Sequence, residues 1–382
     1  MLIIRAATYA DQWVWRDAGR QQGQALVEGI IPEEIVAGPG AIRATLAETL
    51  PAARAAAADL QRRGVRRLYV IGNGTSFHSS LAVATLYRHL ALPHEPALIP
   101  LTAAEFSTYL PSLGAGDAVL GISASGEFRE VVAVMQALRT RVPTVAVVHV
   151  PGSTLTRLAD HVLLTAGEPS RVPVMTKTFS STLAATYLLI AELLGGERAT
   201  QVEQAIAVAA DDAEEAIRGA LPLVEGLAER FFDAEHIFVV GSGAAYPAAL
   251  EAALKLKEMA LVHAEGTETW EMESGAATLI GPATTVIGLE PAGRGREAVR
   301  ELMRHCSEWG ARCIEVTAEP ALAGADVLPI PARADEEFAS LVAVPPVALF
   351  AFLLARRRGL DPDRPGWSER YHSQGLTHIV GV

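Results

Sequence analysis

Short apolar runs that end in glycine or small polar residues recur along the chain, with segments of helical length between them. In the first half these runs are RRLYVIGNG, AVLGISASG, PTVAVVHVPG and HVLLTAG, and in the second half HIFVVGSG, TTVIGLEPAG, RCIEVTAEP and DVLPIPA. Runs of this length that are rich in β-branched residues predict strands. Their alternation with helices predicts an α/β protein with parallel sheets.

The two halves carry the same pattern. VIGNGTSFHSSL begins at Val70 and VVGSGAAYPAAL begins 169 residues later at Val239, and both contain an apolar pair, Gly-x-Gly, an aromatic residue and a closing leucine. We therefore expect two copies of one α/β unit. The pattern predicts an N-terminal extension over residues 1–32, a first domain over 33–205, and a second domain with a C-terminal tail over 206–382.

The segment over residues 180–231 is rich in alanine and leucine and has no strand signal, so we expect helices that close the first domain and lead into the second. Three aromatic residues of the extension, Tyr9, Trp13 and Trp15, could pack on the body of the protein or on a partner subunit.

Composition excludes several classes of function. A net charge of −12 over 382 residues, without a clustered basic segment, argues against nucleic-acid binding. No signal-peptide pattern and no continuous run of about 18 apolar residues is present, so we expect a soluble, cytoplasmic protein without a membrane span. Cys306 and Cys313 lack partners at zinc-like spacing and are expected to be core thiols, with no metal site.

Two hydroxyl-rich loops predict an anion site. The first loop turns from a strand into a helix and contains Gly74, Thr75 and Ser76; a tight turn without a ligand is the alternative for this loop alone. The second loop, with Ser123, Ser125 and Gly126, follows the next predicted strand. Because the carboxyl ends of neighbouring parallel strands meet, we expect one phosphate or similar anion there. There is no P-loop and no Gly-x-Gly-x-x-Gly motif, so a nucleotide is not favoured.

A predicted helix in the second half carries three charges on one face. Glu251, Lys255 and Glu258 are spaced i, i+4 and i+7 in ALEAALKLKEMA. A solvated row of salt bridges is one interpretation. The other is a partly buried carboxylate that moves a proton between adjacent sugar carbons while Lys255 tunes its charge.

The motifs GNGTSFH, ISASGE, MTKTFSSTL, GSGAAYPAALEAALKLKEM and HAEG resemble those of the double sugar-isomerase (SIS) domain proteins. These include the isomerase half of glucosamine-6-phosphate synthase and the related phosphosugar isomerases and deaminases. The resemblance covers about nine tenths of the chain, from about Glu34 to Gly366. It implies two tandem flavodoxin-like α/β domains, each a five-stranded parallel sheet flanked by helices.

The resemblance also implies roles for residues. It places Thr75, Ser76 and Thr176 among the groups that bind the sugar phosphate, and it makes Glu258 the proton-transfer base, supported by Glu251 and Lys255. Chemistry is expected to need no cofactor. The family's site is completed by a loop from a neighbouring subunit, which corresponds to residues 270–276 here, so we expect a homodimer.

Four positions depart from the family pattern. In the phosphate loop Ala124 and Phe128 replace a glutamine and a threonine, Ser274 replaces the ring-opening histidine, and Arg370 stands at the position of the lysine that attacks the sugar carbonyl. A guanidinium is too basic to form a Schiff base. The sugar or its anion is therefore expected to differ from that of the synthase.

Other residues could take over the lost roles. Tyr371 and His372 could supply acid-base function if the tail folds back over the site, although an exposed tail is the alternative for His372; Glu271 and Glu273 could bind an amine. The sequence carries no counterpart of the synthase's glutaminase domain, so we expect isomerisation or release of an amine rather than amination. The alternative function is a non-catalytic sensor that binds sugar phosphates.

Overall fold

The computed structural model describes residues 28–109, 112–331, 333 and 336–373, with side chains described as far as residue 370. The first half alternates strands and helices along the chain. Its elements are α1 (Ile30–Arg62), β1 (Arg67–Gly72), α2 (Thr75–Leu90), β2 (Ala97–Thr102), α3 (Ala103–Thr108), β3 (Asp117–Ile122), α4 (Arg129–Leu138), β4 (Thr144–Val148), α5 (Thr154–Leu158), β5 (His161–Leu164) and α6 (Lys177–Leu194).

Two helices connect the halves, and the alternation then begins again. The connecting helices are α7 (Gly196–Ala220) and α8 (Val224–Arg230). The second half consists of β6 (His236–Gly241), α9 (Tyr246–Ala260), β7 (His263–Glu268), α10 (Thr269–Ser274), β8 (Thr284–Glu290), α11 (Arg296–Glu308), β9 (Arg312–Thr317), β10 (Asp326–Pro329), α12 (Ala339–Val342), α13 (Val344–Arg357) and α14 (Gly366–Ser373).

The strands of the described residues form two parallel five-stranded sheets of the same topology. The order is β2-β1-β3-β4-β5 in the first sheet and β7-β6-β8-β9-β10 in the second. This is the flavodoxin-like order with a reversal between the first and third strands, where ligands bind at the carboxyl edge. The predicted fold class, two tandem α/β units, is confirmed.

A continuous apolar core lies between the two sheets. Alternate residues of each strand point to opposite faces, so Val70 of β1 and Val239 of β6 belong to this shared core while Ile71 and Val240 face outward. The shared core also includes residues of α1, α2, α6, α9 and α13. Helices α3 to α5 cover the outer face of the first sheet, and α10 and α11 cover that of the second. Helices of both halves therefore meet at the centre of the molecule.

One segment of the described residues, Glu336–Arg357, is long and apolar enough to cross a membrane by length and composition alone. It contains α12 and α13, and its most apolar stretch is wholly buried within the protein. Helix α13 packs against α8 and α9. The segment is therefore a core helix of this fold, whose apolar surface is covered by protein.

The C-terminal segment is anchored to the start of the described chain. Asp363 accepts hydrogen bonds from the backbone N–H groups of Ile30 and Ile31, both at 2.9 Å, and thereby caps α1. The division of the chain at residues 205 and 206 lies within α7, which contacts α1 and α6 on one side and α12 and α13 on the other. That division stays a prediction.

Candidate active site

Three charged side chains of α9 form a contiguous cluster at the centre of the molecule. The Lys255 ammonium lies 3.2 Å from Glu251 Oε1 and 2.5 Å from Glu258 Oε2. Glu251 is fully buried and Lys255 is 1% exposed, whereas the Glu258 side chain keeps 23% of its surface exposed. A solvated row of salt bridges is therefore the wrong interpretation for Glu251 and Lys255. Glu258 is the member of the cluster that remains accessible.

The first half of the chain supplies two further contacts to this cluster from the start of α2. Thr75 Oγ1 donates a hydrogen bond of 3.0 Å to Glu251 Oε1, and His78 Nδ1 lies 2.7 Å from Glu251 Oε2. Because an ionised carboxylate only accepts hydrogen bonds, His78 Nδ1 must carry a hydrogen. The site is therefore built across both halves of the chain.

Burial and neighbouring charges shift the pKa values of Glu251 and Glu258 in opposite directions. Burial disfavours the charged form of Glu251, but the Lys255 ammonium, His78 and Thr75 outweigh it and hold the pKa of Glu251 below its ordinary value. Burial raises the pKa of Glu258 above its ordinary value, and the attraction of Lys255 offsets this only in part. Glu251 therefore stays ionised, and Glu258 is the carboxylate with increased basicity, as a general base requires.

Lys255 stays protonated although it is buried. Burial alone would lower its pKa, but the negative charges of Glu251 and Glu258 raise it above its ordinary value. Its positive charge therefore remains beside Glu258, where it can stabilise negative charge that develops on a substrate.

The loop after β3 presents hydroxyl groups in a compact turn. Ser123 Oγ accepts a hydrogen bond from the N–H of Gly126 at 3.2 Å, and Ser125 Oγ accepts one from the N–H of Glu127 at 3.2 Å. The two hydroxyl oxygens also lie 3.5 Å apart, and since only one of them can donate to the other, at least one hydroxyl hydrogen is free to be donated to an anion. Gly126 has a φ of 68°, a conformation that favours glycine.

The two hydroxyl groups of the first predicted loop, those of Thr75 and Ser76, differ in their hydrogen bonding. Gly74 precedes α2 with a φ of 52°, and Asn73 Oδ1 anchors the loop by accepting from the N–H of Ala103 at 3.0 Å. The Thr75 hydroxyl donates its hydrogen bond to Glu251. Among the described residues, the Ser76 hydroxyl makes no hydrogen bond, so within this pair Ser76 is the group available to a ligand.

Thr176 lies at the start of α6, beside the charged cluster. It lines a small cavity together with Lys255, Met175, Phe179 and Ser180. The cavity volume is about 10 Å³, roughly the space of one water molecule. The Thr176 hydroxyl is buried and has no hydrogen-bond partner among the described residues. Of the predicted binding residues of the first half, Thr75 and Thr176 thus lie against the helix that carries Glu258.

Sequence reasoning missed two polar residues of this region, His78 and Ser153. His78 lies three residues after Thr75 on the same face of α2, and this spacing is the signal that could have identified it. Ser153 follows β4 in the sequence VPGST. Its buried hydroxyl has no partner among the described residues, and it lies so close to the loop after β3 that a Cβ on Gly126 would be 2.1 Å away.

The four positions that depart from the family pattern lie on two surface segments and in the loop after β3. Ser274 is exposed on α10, and its hydroxyl donates to the carbonyl of Trp270 at 2.7 Å. Within the described part of the chain, no hydrogen bond joins Ser274 to the charged cluster. Phe128 precedes α4 and packs on the outer core of the first sheet, so its side chain serves packing.

The C-terminal helix α14 lies against the helix that carries the charged cluster. Trp367 Nε1 donates a hydrogen bond of 2.8 Å to the backbone carbonyl of Glu258. Arg370 is exposed one turn further along α14. Helix α14 thus lies beside the helix that carries Glu258, while the side chains of Tyr371 and His372 lie outside the described residues, so their expected roles stay a prediction.

In the second half, carboxylates stand where the first half has its hydroxyl loop. Glu290 ends β8, the strand equivalent to β3, and both Glu290 and Glu315 of β9 are fully buried. Burial and the charge of Glu315 raise the pKa of Glu290 to about 7, although Arg300 donates to Glu290 at 3.2 Å. This negative edge does not suit a phosphate. Within the described residues, no group of three or more His, Cys, Asp or Glu residues is placed to hold a metal ion.

Comparison with known proteins identifies relatives of both halves. The family described as SIS domain matches residues 63–192 and 230–354. The glutamine–fructose-6-phosphate aminotransferase (isomerizing) of Methanothermobacter thermautotrophicus is 32% identical over 309 residues, which are 79% of this chain and 50% of that protein. The chain thus spans about half the length of the curated relatives it matches.

Solved structures share the fold at lower identity. The C-terminal domain of glucosamine-fructose-6-phosphate aminotransferase from Francisella tularensis aligns with a TM-score of 0.78 and 22% identity, over 88% of this chain and 98% of that one. Glucosamine-6-phosphate deaminase from Thermotoga maritima aligns with a TM-score of 0.68 and 18% identity, over 88% and 98% of the two chains.

We predict that Lys255→Met destabilises the protein by about 3–5 kcal/mol, because it leaves the Glu251 carboxylate buried without its counter-charge. The double variant Glu251→Gln with Lys255→Met should recover part of that loss, since no buried charge then remains unpaired. Urea unfolding measures both changes. Lys257→Met, at an exposed position of the same helix, is the control and should stay within about 0.5 kcal/mol of the wild type. Additive losses in the double variant would contradict the ion pair.

We also predict that stability falls as the pH rises from about 4.5 to 7 through Glu290. The native state keeps the Glu290 proton up to a pKa of about 7, while the unfolded chain loses it near 4.5, so the native state binds more protons in this range. The contribution is roughly 2–3 kcal/mol. Glu290→Gln should flatten this pH dependence in urea unfolding between pH 5 and 8. The exposed control Glu319→Gln should leave it unchanged; an unchanged slope in Glu290→Gln would refute the assignment.

Proposed function

Because the chain belongs to the SIS domain family, we propose that it is an enzyme that moves a proton between the first two carbons of a phosphosugar. The reaction would be a ketose/aldose isomerisation or the deamination of an amino-sugar phosphate. The observation that carries this proposal is the geometry of Glu258. It is an accessible carboxylate of raised pKa, held 2.5 Å from a buried ammonium.

Residues of the first half of the chain would bind the phosphate, and residues of the second half would carry out the proton transfer. Ser76, Ser123 and Ser125 would hold the phosphate with hydroxyl donors at the carboxyl edge of the first sheet. Glu258 would remove the proton from the carbon next to the carbonyl and return it to the neighbouring carbon, through an enediol or an enolamine. Lys255 would stabilise the negative charge of this intermediate, and Glu251 would keep Lys255 protonated and in place.

The departures from the family pattern favour a substrate other than that of the synthase. Ala124 and Phe128 remove two phosphate ligands, while Ser274 and Arg370 remove the ring-opening base and the nucleophilic amine. An open-chain sugar would not need the ring-opening base, and a sugar with a different anion would not need the two lost phosphate ligands. A sensor that binds the sugar phosphate without turnover is the alternative that these same departures favour.

We propose that the working unit is a cytoplasmic homodimer in which the segment over residues 270–276 completes the neighbour's site. Two large apolar side chains near this segment support the proposal, since Trp270 is 60% exposed and Leu279 is 67% exposed. Large exposed apolar residues that lie close together mark interaction surfaces.

Glu258→Gln is predicted to lower turnover at least 100-fold while leaving ligand affinity within about threefold, since the amide keeps the shape of the carboxylate but cannot accept the proton. Proton NMR in D₂O with fructose 6-phosphate and glucosamine 6-phosphate would follow deuterium entry at C1 or C2 together with release of ammonia. Glu229→Gln, at an exposed surface position, is the control.

The outcomes of this experiment separate the candidate functions. Exchange with ammonia release indicates a deaminase, and exchange alone indicates an isomerase. Retained exchange in Glu258→Gln would remove Glu258 from its role. Saturable binding by the wild type without exchange across a panel of sugar phosphates would make the sensor the better function.

For the homodimer, we predict that Trp270→Glu shifts the protein toward monomers in analytical ultracentrifugation and lowers specific activity on dilution, because it places a charge in an apolar contact. Trp309→Glu is the matched control, since Trp309 is also partly exposed but lies away from this segment, directly after α11. A wild-type monomer with full activity at high dilution would exclude a shared site.

A further inference from the structure

Lys177, the first residue of α6, is a buried cation without a partner. The residue is 8% exposed, and its ammonium makes no hydrogen bond or ion pair with any residue that the structure describes. Lysine is almost never buried in this way unless it is paired, because the loss of hydration is not compensated. The fold therefore places a positive charge that has no hydrogen-bond or ion-pair partner among the described residues beside the start of a helix, whose dipole adds to it.

The polar groups around Lys177 do not neutralise it. His149 is buried, and its pKa is lowered by burial and, to a smaller extent, by the positive charge of Lys177. His149 Nε2 lies 2.9 Å from the carbonyl of Glu168, which can only accept, so Nε2 carries the hydrogen and Nδ1 accepts from the Thr165 hydroxyl at 2.6 Å. His149 is thus a neutral imidazole with both nitrogens used.

The carboxylate of Glu34, which also acts on His149, is committed elsewhere. Its two oxygens accept hydrogen bonds of 2.7 Å from the Ser170 hydroxyl and from the backbone N–H of Arg171. Neither His149 nor Glu34 therefore supplies a partner for the ammonium of Lys177.

The position of Lys177 connects the two parts of the site. On one side, His149 follows β4, and its backbone N–H donates to the carbonyl of Ala124 in the anion loop at 2.8 Å. On the other side, Thr176 lines the cavity that it shares with Lys255. The start of α6 therefore lies between the hydroxyl loop and the proton-transfer helix.

We propose that Lys177 binds the phosphate of the substrate together with the buried hydroxyl of Thr176 and the serine hydroxyls of the loop that contains Ala124. The inference rests on the proposed function, because it assumes that the hydroxyl loop holds a phosphate. An ammonium forms charge-assisted hydrogen bonds with phosphate oxygens that are stronger than those of neutral donors. The ligand thus provides the counter-charge that the protein itself does not.

The test compares Lys177→Met and Lys177→Arg with the wild type. Isothermal titration with inorganic phosphate and with fructose 6-phosphate should show at least tenfold weaker binding in Lys177→Met and a smaller loss in Lys177→Arg, which keeps the charge. Thermal unfolding without ligand should show an equal or higher midpoint in Lys177→Met, because the substitution removes no hydrogen bond or ion pair among the described residues. The midpoint increase that phosphate causes in the wild type should largely disappear.

The opposite results would overturn the inference. Unchanged affinity in Lys177→Met would do so, as would a wild type that binds neither probe. A lower midpoint without ligand, combined with unchanged affinity, would assign Lys177 a structural role. Deuterium exchange, measured in the same variants, distinguishes a failure of the Lys177 inference from a failure of the proposed function. If Lys177→Met exchanges deuterium and binds with unchanged affinity, the proposed reaction stands and the role of Lys177 is wrong. If binding depends on Lys177 but no variant exchanges deuterium, the phosphate site stands and the proposed reaction is wrong.

Discussion

The buried contact between Lys255 and Glu251 is the interaction on which the arrangement of the site depends. Both side chains are almost completely withdrawn from water, so each requires the other to offset the loss of hydration. Glu251 also receives Thr75 and His78 from the first half of the chain. A single carboxylate therefore fixes the start of α2 against α9, and with it the position of the anion loops relative to Glu258. A rotation of one half against the other would break these contacts together.

The central strands could be predicted from the sequence because they are fully buried and read as continuous apolar runs. Two of the four edge strands, β2 and β7, were missed for different physical reasons. β2 has the sequence ALIPLT, where a proline argues against a strand although an edge position tolerates it. β7 has the sequence HAEGTE, whose polar residues resemble a loop. In both cases pairing with the neighbouring central strand decides the structure, and a single sequence does not contain that information.

For the candidate site, too, local spacing could be predicted from the sequence, whereas contacts between distant segments could not. The spacing of Glu251, Lys255 and Glu258 was sufficient to place them on one face, but their burial depended on packing against the other half of the chain. His78 and Ser153 lie in the motifs GNGTSFH and VPGST, yet their roles follow from contacts with residues far away in sequence. Local patterns therefore identified the helix that could carry the chemistry, and the tertiary structure identified which groups are close to it.

The duplication explains why one site is built from two different halves. At the 169-residue offset, α2 carries Ala82, Leu86 and His89 where α9 carries Glu251, Lys255 and Glu258. Conversely, the hydroxyl loop of the first sheet has buried carboxylates as its counterpart in the second. The hydroxyl donors of the proposed phosphate site therefore lie at the first sheet, while the carboxylate proposed as the base lies on the helix of the second half. Because the two copies have diverged in complementary ways, the hydroxyl-bearing loops lie in the first half and the cluster of Glu251, Lys255 and Glu258 lies in the second.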